Sequence, residues 1–292
     1  MSTAVNEVRD DDARILAIIR LRNNLSLLFI KPGPEPGEYP SCRVQKGLVI
    51  ASNGRELVEE GVGLGLPIVK FGLETVFPGD ASLSMKQDGK RIVTTVSYNL
   101  NLIRRTSLRW GGVIGSPRFY EVEEFLSGLH RQHPLLRNAL TWTSYPVKLL
   151  CGMTTAFQEN DSAGPISVIY DADIGQGIIH ISVDLKGLTR RGCTEVIIAN
   201  EQGANRFDLY RDSDGITLRG KGIGTWDEAV AHSASLADSR DGISFSINEV
   251  RGARIFRGRE LERNRLAWSG LNYVLPGNTA SFAYDIRIGE DR

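Results

Sequence analysis

The chain has 292 residues, 41% hydrophobic and 24% charged, with 35 Lys and Arg set against 35 Asp and Glu. That length and balance describe one or two globular units whose core is large enough to need no staples. Zero net charge excludes the overall basic field that drives nucleic-acid binding, and no run approaches the roughly 18 apolar residues of a membrane span.

Residues 1–13 are polar and read as a frayed end. They lack the basic stretch and long apolar run of a signal peptide; the nearest apolar segment, Ile15 to Ile19, is short and stops at Arg20. Cys42, Cys151 and Cys193 lie far apart, with no C-x-x-C pair, which fits a reducing compartment. A cytoplasmic protein is the expectation. With so little colloidal repulsion, a homo-oligomer is consistent with the charge.

Leu25 to Lys31 reads as a strand, ended by the Pro- and Gly-rich stretch 32–37, which cannot continue a ladder. Arg43 to Ser52 reads as a second strand, closed by the turn pair Asn53-Gly54. Gly61 to Pro67 invites comparison with a phosphate-cradling loop. Such a loop needs an apolar strand before it and a helix N-terminus after it. Here Glu-Leu-Val-Glu-Glu precedes and Pro67 opens an extended segment, so the glycines read as points where backbones pass closely at a bend in a sheet. Thr95 to Leu102 alternates, with Val96, Tyr98, Leu100 and Leu102 on one face.

Ser116-Pro117 predicts a helix start, with Ser as N-cap and Pro in the first turn. Phe119, Val122, Phe125, Leu126 and Leu129 give it one apolar face, and a shorter helical piece follows Pro134. Everything after Val147 reads as strands: Ile178 to Lys186, Glu195 to Asn200, Arg206 to Tyr210, Ile216 to Arg219, Ile243 to Ile247, Arg254 to Arg257, Leu266 to Val274 and Ser281 to Ile288. Asp214-Gly215 and Asp241-Gly242 supply turns. The last strand is the clearest: Phe282, Tyr284, Ile286 and Ile288 share one face, and Ser281, Ala283, Asp285 and Arg287 the other. Short strands separated by turns, without intervening helices, predict a mainly β fold: an antiparallel two-sheet sandwich with one or two short helices around 117–140. It is read as one domain over 1–292, with a loop near 160–164 as a break point.

Residues that could carry chemistry are few. His180 heads a polar strand face continued by Ser182, Asp184 and Lys186. If that face lines a cleft, His180 and Asp184 are placed for acid–base work; if it faces water, it is the solvated side of a sheet. Glu249 lies at a strand end, where active-site carboxylates are found. Arg109-Trp110 and Trp226-Asp227-Glu228 set an aromatic ring beside charge, the mixture that sugars need, since C–H faces stack on rings while hydroxyls bond to charged groups. The sites expected are therefore His180, Asp184 and Glu249 for catalysis, and Arg109, Trp110 and Trp226 for substrate. His130 and His133 read as helix-terminal histidines. The Asp-rich turns at 171–175 and 212–215 lack the Glu that closes a calcium loop. No metal or cofactor is expected.

Two segments, Gly63-Leu-Gly-Leu-Pro67 and Leu275-Pro-Gly-Asn-Thr-Ala-Ser-Phe-Ala-Tyr284, together resemble the galactose-mutarotase-like, or aldose-epimerase-like, β-supersandwich family. The resemblance implies a sugar held on a concave sheet face, and in the family's epimerases a His and a Glu as acid and base. The family's N-H-x-Y-F-N-L-type segment is missing, so fold and ligand class carry over and no catalytic residue does. The expected function is that of a carbohydrate-active protein, an epimerase, isomerase or lyase working by proton transfer. The alternatives are a non-catalytic sugar-binding module and a structural or oligomeric β protein. The expected partner is a sugar or sugar-derived small molecule, with neither nucleic acid nor membrane.

Overall fold

Alternation in the sequence becomes alternation in burial. Ile179, Ile181 and Val183 are buried while His180 and Asp184 between and beside them are exposed, as a pleat with one wet face requires. The structure is a computed structural model that describes residues 7–8, 15–21, 25–32, 43–52, 55–56, 62–72, 74–107, 113–114, 150, 154–224, 226–262 and 265–290.

In chain order the described strands are β1 (Glu7–Val8), β2 (Ile15–Arg20), β3 (Leu25–Ile30), β4 (Leu48–Ser52), β5 (Arg55–Glu56), β6 (Gly63–Phe71), β7 (Glu74–Asp88), β8 (Arg91–Ser107), β9 (Val113–Ile114) and β10 (Thr154–Glu159). They continue as β11 (Pro165–Asp173), β12 (Ile178–Asp184), β13 (Glu195–Gly203), β14 (Phe207–Asp212), β15 (Thr217–Arg219), β16 (Asp227–Glu228), β17 (Ser233–Asp238), β18 (Ile243–Asn248), β19 (Arg254–Glu262), β20 (Arg265–Pro276) and β21 (Ser281–Glu290). A 3-10 turn spans Gly220–Ile223. The helices expected over 117–140 lie outside the described residues. Among the described residues, no helix is long and apolar enough to cross a membrane.

Hydrogen bonding joins the strands into one large antiparallel sheet that does not close. The sheet doubles over into two layers. One runs β19–β20–β13–β6, and the other runs β8–β11–β12–β21–β18–β17–β14. The long hairpin β7–β8 serves both. Thr75 to Phe77 pair with Arg104 to Leu102 beside β6, while Asp80 to Asp88 pair with Asn99 to Arg91 beside β11. The register breaks at Pro78, which has no N–H for the ladder. Gly79 turns its N–H instead to Asn101 Oδ1 at 3.0 Å, and the strand changes layer there.

The layers meet over a shared core. Tyr273 on β20 stacks edge-on against Phe282 and Tyr284 on β21, with ring centroids 5.0 and 4.8 Å apart. Tyr170 on β11 donates its hydroxyl to the Gly65 carbonyl on β6 at 3.0 Å. Gly65 itself has φ +74, and a Cβ there would lie 2.7 Å from the Tyr170 ring. Glycine is therefore required twice over, by backbone conformation and by close approach. Residues 63–67 are thus strand, with Gly63 against the Gly47 and Leu48 backbone and Gly65 against the Tyr170 ring.

Several strands carry no plain sequence signal. β17, Ser-Ala-Ser-Leu-Ala-Asp, has neither β-branched nor aromatic residues, and β7 is interrupted by Pro78-Gly79. Within the stretch read as frayed, Glu7 and Val8 pair with Ile18 and Ala17.

Candidate functional site

The β17–β18 hairpin builds the cleft. Its last ladder pair is Ser233 with Asn248. One step further along the same register sets His232 opposite Glu249, and the backbone follows: Glu249 N–H donates to the His232 carbonyl at 2.7 Å. The side chains meet above it, with His232 Nδ1 2.8 Å from Glu249 Oε2. Ser213 Oγ accepts from His232 N–H at 3.0 Å and ties the hairpin end to the turn after β14.

The opposite wall comes from β16 and β19. Glu228 pairs across the ladder with Phe256. Its carboxylate takes a fork from Arg254, Nε to Oε1 at 2.8 Å and the terminal nitrogen to Oε2 at 3.0 Å. The Arg254 guanidinium lies over the Phe256 ring, 4.8 Å from its centroid. Between the walls is an open cleft of about 480 Å³, lined by Asp214, Glu228, His232, Glu249 and Arg254 with Val230 at its edge. It offers anionic acceptors, a guanidinium and an imidazole bonded to a carboxylate. That set can hydrogen-bond a polyhydroxylated ligand and pass a proton through the imidazole.

His180 and Asp184 lie elsewhere, on the outer face of the second layer. They sit four residues apart on one strand, roughly 13 Å by strand rise. The carboxylate on His180 is that of Asp285, directly opposite on β21, with Nδ1 to Oδ1 at 2.7 Å. Ser182 Oγ is 3.1 Å from His180 Nε2. Asp184 Oδ1 accepts from the Lys186 N–H at 3.0 Å, an Asx-type turn at the strand end. Of the expected residues, then, Glu249 lines the cleft, while His180 and Asp184 share a different face.

Trp226 is 1% exposed and presents no ring face to solvent. Its ring lies against Gly258 and Gly270, where a Cβ would come within 2.8 and 3.1 Å of it. Its backbone takes φ +64, so the indole is turned inward by an unusual conformation rather than by strand alternation. Arg109 and Trp110 lie outside the described residues. His232, which the sequence reading passed over, carries no signal of its own in the sequence: it faces Glu249 because β17 pairs with β18 in the register that sets Ser233 opposite Asn248.

No family model matches this sequence, and no curated protein matches it. Solved structures with a similar course include an alpha-N-acetylgalactosaminidase from Bifidobacterium bifidum in complex with GalNAc. It is 7% identical with a TM-score of 0.49, over 94% of this chain and 36% of that one. An alpha-mannosidase from Enterococcus faecalis is 8% identical with a TM-score of 0.45, over 97% of this chain and 30% of that one. A galactose mutarotase-like protein from Clostridium acetobutylicum is 8% identical with a TM-score of 0.37, over 94% of each chain. This chain thus spans about a third of the length of the two glycosidases. At such identities and scores the likeness transfers neither ligand nor activity.

Proposed function

We propose that this is a carbohydrate-active protein that holds a sugar or sugar-derived small molecule in the cleft between His232, Glu249 and Arg254. The reading is carried by the 2.8 Å contact between His232 and Glu249 on the cleft wall. Glu249 accepts a hydrogen bond from His232 Nδ1–H, which leaves the Nε2 lone pair as a base for a sugar C–H or O–H. The imidazolium so formed is the acid that returns the proton, the step shared by epimerases, isomerases and lyases. Arg254 and Glu228, already forked together, offer a fixed polar edge for ring hydroxyls.

A second reading, binding without turnover, is favoured by one observation. The His232 and Glu249 side chains are 89% and 58% exposed, so water reaches the proton-transfer pair. Ligand-observed NMR against a panel of mono- and disaccharides tests both. The expected result is saturable binding that His232→Ala, Glu249→Ala and Arg254→Ala each weaken. Exchange of a sugar proton for solvent deuterium, lost in His232→Ala, marks the enzyme, and binding without exchange marks the module. Binding indifferent to all three substitutions overturns the assignment to this cleft.

A further inference from the structure

The outer face of the second layer carries a chain of hydrogen bonds that the cleft does not use. Asp285, His180 and Ser182 stand in line, with Asp285 Oδ1 2.7 Å from His180 Nδ1 and Ser182 Oγ 3.1 Å from His180 Nε2. Strand geometry produces the line. His180 and Ser182 are two residues apart on β12 and share a face, and the β12–β21 register sets Asp285 directly beside His180. A carboxylate accepts only, so it selects the tautomer with the proton on Nδ1 and leaves the Nε2 lone pair directed at the Ser182 hydroxyl.

From this we infer that Ser182, His180 and Asp285 form a nucleophilic serine relay that accepts small acyl groups from activated esters. Ser182 is the nucleophile, His180 its base, and Asp285 the positioning residue. The flanks suit a short apolar acyl group: Ile169, 40% exposed, and Ala283 are the cross-strand partners of Ser182. Asp171, the neighbour of His180 on its other side, is held by Arg91, with Nε to Oδ1 at 2.6 Å, and leaves the imidazole to Asp285.

The step balances with water and ester alone. Ser182 Oγ bonds to the acyl carbon while its proton passes to His180 Nε2. The carbon–oxygen bond to the alcohol breaks, and the imidazolium returns the proton to the departing oxygen. Water, activated by the same nitrogen, releases the acid. Ser182 sits on a strand flanked by ladders on both sides, so its backbone N–H is committed to the sheet. With that donor committed, deacylation is slow and amides are not substrates. The reaction expected is a stoichiometric burst and an accumulating acyl-serine.

The test treats the full chain with p-nitrophenyl acetate, follows p-nitrophenolate release, and maps the acetyl group by peptide mass spectrometry. The expected outcome is a burst with acetyl on Ser182, removed by Ser182→Ala and slowed about a hundredfold by His180→Ala. Nitrogen-15 spectra of the native imidazole should show His180 protonated on Nδ1, a signature that Asp285→Ala changes while far-ultraviolet circular dichroism stays native. All of these side chains lie on a wet face, so the core is unaltered. A burst of full size in Ser182→Ala, acetyl found on lysines alone, or a native His180 protonated on Nε2 overturns the relay. None of these residues lines the sugar cleft, so the outcome is read independently of it.

Discussion

Tyr284 on β21 donates its hydroxyl to Asn200 Oδ1 on β13 at 2.7 Å, and that bond crosses from one layer of the sheet to the other. Both residues are buried. The same Oδ1 accepts from Gly65 N–H at 3.0 Å, the Asn200 amide donates to the Leu271 carbonyl at 3.0 Å, and Asn200 N–H donates to Asn272 Oδ1 at 2.8 Å. A single asparagine therefore links β6, β13, β20 and β21 where Asn200 disturbs the β13–β6 register. Replacing Tyr284 by Phe leaves Oδ1 one partner and should cost about 1 kcal/mol. Asn200→Ala strands donors and acceptors on three strands and should cost about 3 kcal/mol or more. Urea denaturation of the two variants checks the order; equal losses would show that Asn200 is not the centre of the network.

The site should be separable from the fold. His232 and Glu249 are both exposed, and exposed pairs couple by about 1 kcal/mol or less. His232→Ala and Glu249→Ala should therefore leave the unfolding midpoint nearly unchanged while weakening sugar binding. A double-mutant cycle in urea measures the coupling, and a value of several kcal/mol would make the pair structural.

Alkaline conditions should melt the sheet through its tyrosines. Burial drives the hydroxyl pKa values of Tyr98, Tyr170 and Tyr284 above the ordinary phenol value, and Tyr98 and Tyr170 are bonded to each other at 2.9 Å. A raised folded pKa means that the neutral form is favoured by folding. Stability is therefore whole below the unfolded value of about 10 and falls as pH rises through the folded values. Phenolate absorbance and circular dichroism followed together above pH ~10 should change at one midpoint for these rings. Their ionisation with the sheet intact would contradict the burial.

Gly65→Ala should be severe. The residue needs φ +74, and its Cβ would meet both the ring and hydroxyl of Tyr170, whose own bond to the Gly65 carbonyl fixes the ring in place. Strain and overpacking together should cost about 2–4 kcal/mol. Gly72→Ala is the control, since φ there is also positive at +62 but no atom lies within 4 Å of the added carbon. Thermal melts of the two separate the steric part from the backbone part.

Much of the architecture was legible because burial on one face writes itself as period two. The strands at 178–184, 243–248 and 281–290 follow the alternation almost residue for residue. The strands at 63–71 and 195–203 were harder: they are buried along all or nearly all of their length, so no polar face marks their period. The strand at 233–238 was silent for the opposite reason, being made of small residues that suit a turn as well as a ladder. Its absence from the reading hid His232, because without that strand Glu249 had no partner to face.

What the chain determined by itself was local: which side of each strand goes inside, where Asp-Gly and Pro-Gly bend it, and hence an antiparallel β fold. Tertiary structure alone decided which carboxylates His180 and His232 meet. His180 and Asp285 are 105 positions apart, and His232 and Glu249 meet only because one hairpin closes in one register. Alternation tells a side chain its face but not its neighbour. The neighbour is chosen by pairing across the sheet, where a shift of one residue would turn every one of these groups to the other side.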